Sequence, residues 1–175
     1  MDIDHHYETF IEWTGNRGLG TANYKAYGRE SILGAVGHHS IESSSDHSFR
    51  GDASRWNPEE LLVAALSQCH MLSYLHEAAI AGVVVTAYTD VATGEMRQTN
   101  DGGGHFRSVT LNPVVTISAG DPELARSLHG AANEKCFIAQ SVNFPVHHAP
   151  TIHLEATDAH TVPSGLLRNN RASSP

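Results

Sequence analysis

A mostly apolar run follows Asn57 and is interrupted by few polar residues. Asn57 suits the N-cap of a helix, and Pro58 suits the first helical position, where its missing N–H costs no hydrogen bond. Two glutamates fall in the first turn, where carboxylates complement the helix dipole. The residues after them are rich in Ala and Leu, which is typical of a helix buried on most sides. The pattern predicts a long helix from Pro58 to about Ala81, stopped by Gly82.

Most of the remaining chain alternates apolar and polar positions, which predicts strands. A second cap signature, Asp121-Pro122-Glu123, predicts a second helix. The predicted strands cover residues 7–14, 21–27, 31–36, 83–96, 106–118 and 145–156, with an edge strand around 48–50; the second helix covers 122–135, and a helical turn covers 137–142. The strands come in groups rather than alternating one by one with helices. The sequence therefore predicts an α+β fold with helices on one face of antiparallel sheet. We assign residues 1–160 to a single domain and residues 161–175 to a loose tail.

Composition narrows the classes of partner. The chain has 175 residues, 40% of them hydrophobic and 17% charged, as expected of a globular domain. Its formal net charge of −8 argues against nucleic acid or an anionic membrane as the main partner. No apolar run is long enough for a membrane span, and the acidic N-terminus does not resemble a signal peptide. We therefore expect a cytoplasmic protein.

The 13 histidines and two cysteines raise the question of a metal site. The histidines are scattered, and neighbouring pairs such as His38 and His39 cannot place both rings on one strand face. Neither Cys-x-x-Cys nor His-Glu-x-x-His occurs. The sequence therefore predicts no functional metal site.

Cys69 lies within the first predicted helix and Cys136 at the end of the second. Cys69 could be an ordinary small core residue. A Cys/His hydrolase is a second interpretation, but His70 points about 100° away from its neighbour on a helix, which places it poorly as a base. A third interpretation is redox chemistry, in which one thiol is oxidised and the other condenses with it. Packing of the two helices would bring the thiols within reach.

Residues 57–69, Asn-Pro-Glu-Glu-Leu-Leu-Val-Ala-Ala-Leu-Ser-Gln-Cys, resemble the signature of the superfamily of osmotically inducible protein C (OsmC) and organic hydroperoxide resistance (Ohr) proteins. Cys136 matches the second cysteine of that family by position, although Phe137 stands where many members have proline. The resemblance covers roughly residues 8–157. It implies a homodimer in which the sheets of two intertwined chains surround two long central helices, and it favours the OsmC-like branch.

The resemblance also implies a reaction, the reduction of organic hydroperoxides and possibly of hydrogen peroxide. Cys69 would be the attacking thiolate and Cys136 the resolving thiol, with no cofactor but with an external dithiol as reductant. Glu59 matches the family glutamate. An arginine would hold the thiolate ionised, and the candidates are Arg50, favoured by the OsmC branch, Arg17, which matches the Ohr branch, then Arg29 and, more distantly, Arg55. A stress-related or small-molecule-binding protein on the same fold stays open as an alternative, as does a Cys-dependent hydrolase.

Helix geometry restricts how Glu59 could serve Cys69. The two residues are ten positions apart, which is about 15 Å along a helix axis and beyond the reach of a glutamate. If Glu59 positions an arginine beside a thiolate, that thiolate belongs to the other chain. Antiparallel central helices in a two-fold dimer would allow this, so the sequence predicts shared sites and an obligate homodimer.

Overall fold

The structure, a computed structural model, describes residues 3–156, and its central element is helix α1. The strands are β1 (Phe10–Trp13), β2 (Ser31–Gly34), β3 (Ile41–Ser43), β4 (Val84–Asp90), β5 (Thr93–Gln98), β6 (Gly104–Leu111), β7 (Pro113–Ala119), β8 (Val146–His148) and β9 (Thr151–Leu154). The helices are α1 (Pro58–Ile80), α2 (Pro122–Lys135) and the short α3 (Phe137–Gln140), with a 3-10 turn at His47–Phe49. The α+β prediction is confirmed, and both long helices lie where their caps predicted them.

The strands form three sheets in the orders β1-β2-β3, β4-β7-β9 and β5-β6-β8. Two long predicted strands each break in two, because Asp90 Oδ1 accepts a 2.7 Å hydrogen bond from Asn112 N and the chain changes sheet at this point. The two strands predicted at 83–96 and 106–118 thus each contribute to two sheets. The predicted last strand also divides, and its halves β8 and β9 pair in parallel with β6 and β7 rather than antiparallel.

Two predictions in the N-terminal third are wrong. Residues 21–27 form turns rather than a strand, because Asn23 turns the chain by accepting from Lys25 N and Ala26 N. The edge strand expected near 48–50 is a 3-10 turn, capped by Asp46, whose side chain accepts from Ser48 N. The strand of this segment is β3, which pairs antiparallel with β2.

Helix α1 packs on two of the sheets, β4-β7-β9 and β5-β6-β8. Leu66, in its first half, is fully buried with Val109 and Leu111 of β6. Tyr74 and Ala78, in its second half, are buried with apolar residues of β7 and α2. None of the helices within residues 3–156 is both long and apolar enough to span a membrane. The predicted tail, 161–175, and the domain boundary at 160 lie outside the described residues.

Candidate active site

The start of α1 is fixed by a capping box. The Asn57 side chain accepts a 2.8 Å hydrogen bond from Glu60 N, and Glu60 Oε2 accepts a 3.2 Å bond from Asn57 N. Together these bonds satisfy backbone donors that the first turn of a helix otherwise leaves free. Glu60 is therefore used in the cap, while Glu59 remains available for another contact.

The two thiols predicted to act together are brought into contact. Cys69, on α1, is half-buried, whereas Cys136, between α2 and α3, is fully buried. Burial, followed by a hydrogen bond with Cys69, raises the pKa of Cys136 to about 11. Ala139 N also donates to Cys136 Sγ at 3.4 Å. The pair thus combines an accessible thiol with a buried partner that stays protonated at neutral pH.

Cys69 opens into a groove of about 1230 Å³, which we call the Cys69 groove. One wall is a single face of α1, and the other is the end of α2 with α3. Its lining is Tyr7, Ala65, Gln68, Cys69, Leu72, Ser73, His76, Glu77, Glu134, Lys135, Phe137, Ile138 and Ser141. Lys135 Nζ donates to Glu77 Oε1 at 2.7 Å, so the cation nearest to Cys136 in sequence is already paired. Most of the remaining surface is apolar, which suits an alkyl group beside the thiol.

Glu59 lies in a different depression, which we call the Glu59 groove. This groove has a volume of about 890 Å³ and is bounded by α1 and strands β4 to β6. Glu59 Oε2 is buried and has no hydrogen-bond partner among the described residues. Cys69 does not line this groove. Within one chain the structure therefore separates Glu59 from Cys69, as the helix geometry required.

None of the candidate arginines lines the Cys69 groove in the described part of the chain. Arg50 is exposed, with a left-handed backbone (φ 67°), and its side chain makes no ion pair within residues 3–156. Arg17 is exposed and pairs with Glu30 at 3.4 Å. Arg29 lies over the rings of Tyr24 and Tyr27, and Arg55 pairs with Glu42 and Asp52. The structure thus leaves the choice between Arg50 and Arg17 open, and of the two Arg50 is the one that forms no ion pair with another described residue.

A buried histidine cluster was not predicted from the sequence. His70 Nε2 and His129 Nδ1 are 2.9 Å apart, and the ring of His148 lies 5.6 Å from that of His70. Burial lowers the pKa of His70 to about 4 and that of His129 to about 3. Within residues 3–156, no group of three or more His, Cys, Asp or Glu side chains has an arrangement that could hold a metal ion. The signal available in the sequence was the position of His129 between Ala125 and Ala132, on the buried face of α2.

Comparison with known proteins decides the family. The sequence profile of the family described as OsmC-like protein matches residues 51–150, which include α1, α2, both cysteines and strands β4 to β8. The chain belongs to the OsmC-like protein family. The resemblance noted in residues 57–69 is thereby confirmed.

Solved structures agree with this assignment. The chain is similar to an OsmC-like protein of unknown function from Vibrio cholerae, with 29% identity, a TM-score of 0.76 and coverage of 85% of this chain and all of that one. It has the fold of an organic hydroperoxide resistance protein from Elizabethkingia anophelis (19% identity, TM-score 0.62, coverage 87% and 100%). It also has the fold of one from Bacillus subtilis (17%, 0.55, 86% and 98%). No curated protein matches the sequence significantly.

Proposed function

We propose that this protein is a thiol-dependent peroxidase that reduces organic hydroperoxides. The observation that carries the proposal is the contact between the half-buried Cys69, which opens into an apolar groove, and the buried Cys136. An accessible thiol beside a buried one is the arrangement required for attack followed by resolution. The family and the two hydroperoxide resistance proteins of the same fold support it.

In the first step the Cys69 thiolate attacks the terminal oxygen of the hydroperoxide. A sulfur–oxygen bond forms, the oxygen–oxygen bond breaks, and the alkoxide leaves as alcohol after taking a proton. Cys69 is then a sulfenic acid. In the second step Cys136 attacks the sulfur of that sulfenic acid, a disulfide forms, and the hydroxyl group leaves as water with the Cys136 proton. An external dithiol reduces the disulfide and completes the cycle.

The protein acts as a homodimer in this proposal. Arg50 or Arg17 of one chain pairs with Glu59 and stabilises the Cys69 thiolate of the other chain. The unpartnered Glu59 Oε2 supports this role, because a buried carboxylate oxygen normally has a hydrogen-bond donor. A matched pair of variants, Arg50→Lys and Arg17→Lys, separates the two candidates. The functional arginine is the one whose replacement slows oxidation of Cys69, since lysine cannot make the two-pronged bond.

Mass spectrometry of the reduced protein mixed with one equivalent of cumene hydroperoxide tests the reaction. We expect loss of two hydrogens and a peptide linked through Cys69 and Cys136. Cys69→Ser abolishes peroxide consumption, while Cys136→Ser allows one turnover and ends with overoxidised Cys69. Sustained turnover by Cys69→Ser would refute the proposal.

A Cys-dependent hydrolase has less support, because His70 is bonded to His129 and no histidine is hydrogen-bonded to Cys69 within the described residues. If neither thiol reacts with the hydroperoxide, a small-molecule-binding protein becomes the better interpretation. Turnover in an ester substrate screen would instead favour the hydrolase.

A further inference from the structure

Three histidines meet at the junction of α1, α2 and β8, away from the Cys69 groove. His70 and His129 are fully buried, and His148 is half-buried at the edge. Tyr74 stacks on His129 with ring centroids 3.9 Å apart. The hydrogen bond between His70 and His129 needs one ring to donate and the other to accept, so it is lost once both rings carry a proton on each nitrogen.

Among residues 3–156, the surroundings offer these rings no free counter-ion. Asp90 is the acidic group that faces the cluster, and its two oxygens already accept from Ser67 and Asn112. Arg126 adds a further positive charge and donates to Pro150 O. The titratable and charged groups facing the cluster are Tyr74 on α1, Tyr88 and Asp90 on β4, Arg126 on α2, and His147 on β8. A protonated ring in this cluster therefore loses its contact with water and gains no anionic partner in exchange. Protonation thus favours any arrangement that exposes the rings to water.

The same elements hold the thiol pair. His70 follows Cys69 on α1, and α2 runs from His129 to its end at Cys136. Separation of α2 from α1 at the histidines would therefore also expose Cys136. We propose that the cluster of His70, His129 and His148 is an acid-sensitive joint, in which proton uptake opens the packing of α2 on α1 and disengages Cys136 from Cys69. This property goes beyond peroxide reduction and does not depend on it.

Proton linkage gives the size of the effect. When the joint is open, each ring titrates near its ordinary pKa of 6.5, whereas burial keeps His70 and His129 neutral in the closed form to about pH 4 and 3. From about pH 7.5 to about pH 5.5, each of these two rings then raises the ratio of open to closed forms about tenfold, and the two together raise it about 100-fold. Burial also lowers the pKa of His148, so its exposure adds a further factor in the same direction.

Labelling of the buried Cys136 by 4,4′-dithiodipyridine measures this ratio. The experiment uses the full chain carrying Cys69→Ser, and each rate is divided by that of the urea-unfolded chain at the same pH. We expect the normalised rate to rise about 100-fold over this pH range, and about tenfold when His129→Gln is added. The exposed His76→Gln on the same helix is the matched control and keeps the full rise. If His129→Gln does not fold, His148→Gln is used and gives a smaller rise than the parent.

Three results would overturn the proposal. One is a normalised rate that does not change with pH, and another is an equal rise with and without the cluster substitution. The third is a rate that climbs steeply with low concentrations of urea, because Cys136 would then be exposed by global unfolding rather than by the joint. A parallel sample with Zn²⁺ tests whether the cluster binds a metal. Slower labelling that His129→Gln abolishes would show a metal site in place of an acid-sensitive joint.

Discussion

Mixing two inactive variants tests whether each active site is built from two chains. Glu59→Gln removes the carboxylate, and Cys69→Ser removes the nucleophile. The two positions are about 15 Å apart along α1, and they face different grooves. A single chain therefore cannot unite them, and each variant alone should be nearly inactive.

Mixed dimers should recover part of the activity. Random pairing of equal amounts makes about half of the dimers mixed, and each of these has one site with both native residues. The expected activity is about a quarter of that of the wild type. The assay is consumption of cumene hydroperoxide by purified protein after co-expression of the two variants from one plasmid. No recovery above the separate variants would refute the shared site.

The double variant Glu59→Gln/Cys69→Ser, co-expressed with wild-type chain, is the matched control. If Glu59 serves the partner's Cys69, both sites of a mixed dimer are defective, and about a quarter of full activity remains. If Glu59 serves its own chain, about half remains. A shared site therefore gives the higher activity in the first experiment and the lower activity in the second. Loss of expression of one variant cannot produce this reversal.

Three further predictions concern single residues. Alkylation by iodoacetamide at pH 8, followed by peptide mass spectrometry, should label Cys69 before Cys136, because Cys136 is fully buried and burial raises the pKa of its thiol to about 11; equal rates would contradict this. Leu66→Ala should lower the free energy of unfolding in urea by about 2–5 kcal/mol, since Leu66 is fully buried against β6, and a loss below about 1 kcal/mol would contradict that packing. Asn57→Ala should cost about 1 kcal/mol in the same assay through loss of the capping box, with the exposed Ser54→Ala as the control.

The helices were predictable because their signals are local. The cap at Asn57 predicted the start of α1, Gly82 predicted an end within one residue of the observed Ile80, and the Asp121 cap predicted α2. The strand breaks were not predictable from alternation. They occur at the bond between Asp90, at the end of β4, and Asn112, between β6 and β7, two residues that meet only in the folded chain.

The candidate site was predictable only in part, because its residues also come together through contacts between elements that are distant in the sequence. The contact of Cys69 with Cys136 was only permitted by spacing, and it depends on how α2 packs against α1. The histidine cluster needs three elements, of which β8 joins last in the chain. In the proposed shared site the arginine comes from a second chain, so the sequence and packing of one chain do not select it.

The parallel pairing of the last two strands has a consequence for biosynthesis. Val146 of β8 lies opposite Val109 of β6, and Ile152 of β9 lies opposite Val115 of β7. Until β8 and β9 leave the ribosome, β6 and β7 each present an unpaired edge, and that of β7 is rich in β-branched residues. Such edges are templates for intermolecular pairing. A nascent chain that stalls before Val146 is therefore more exposed to aggregation than one in which β8 and β9 have been made.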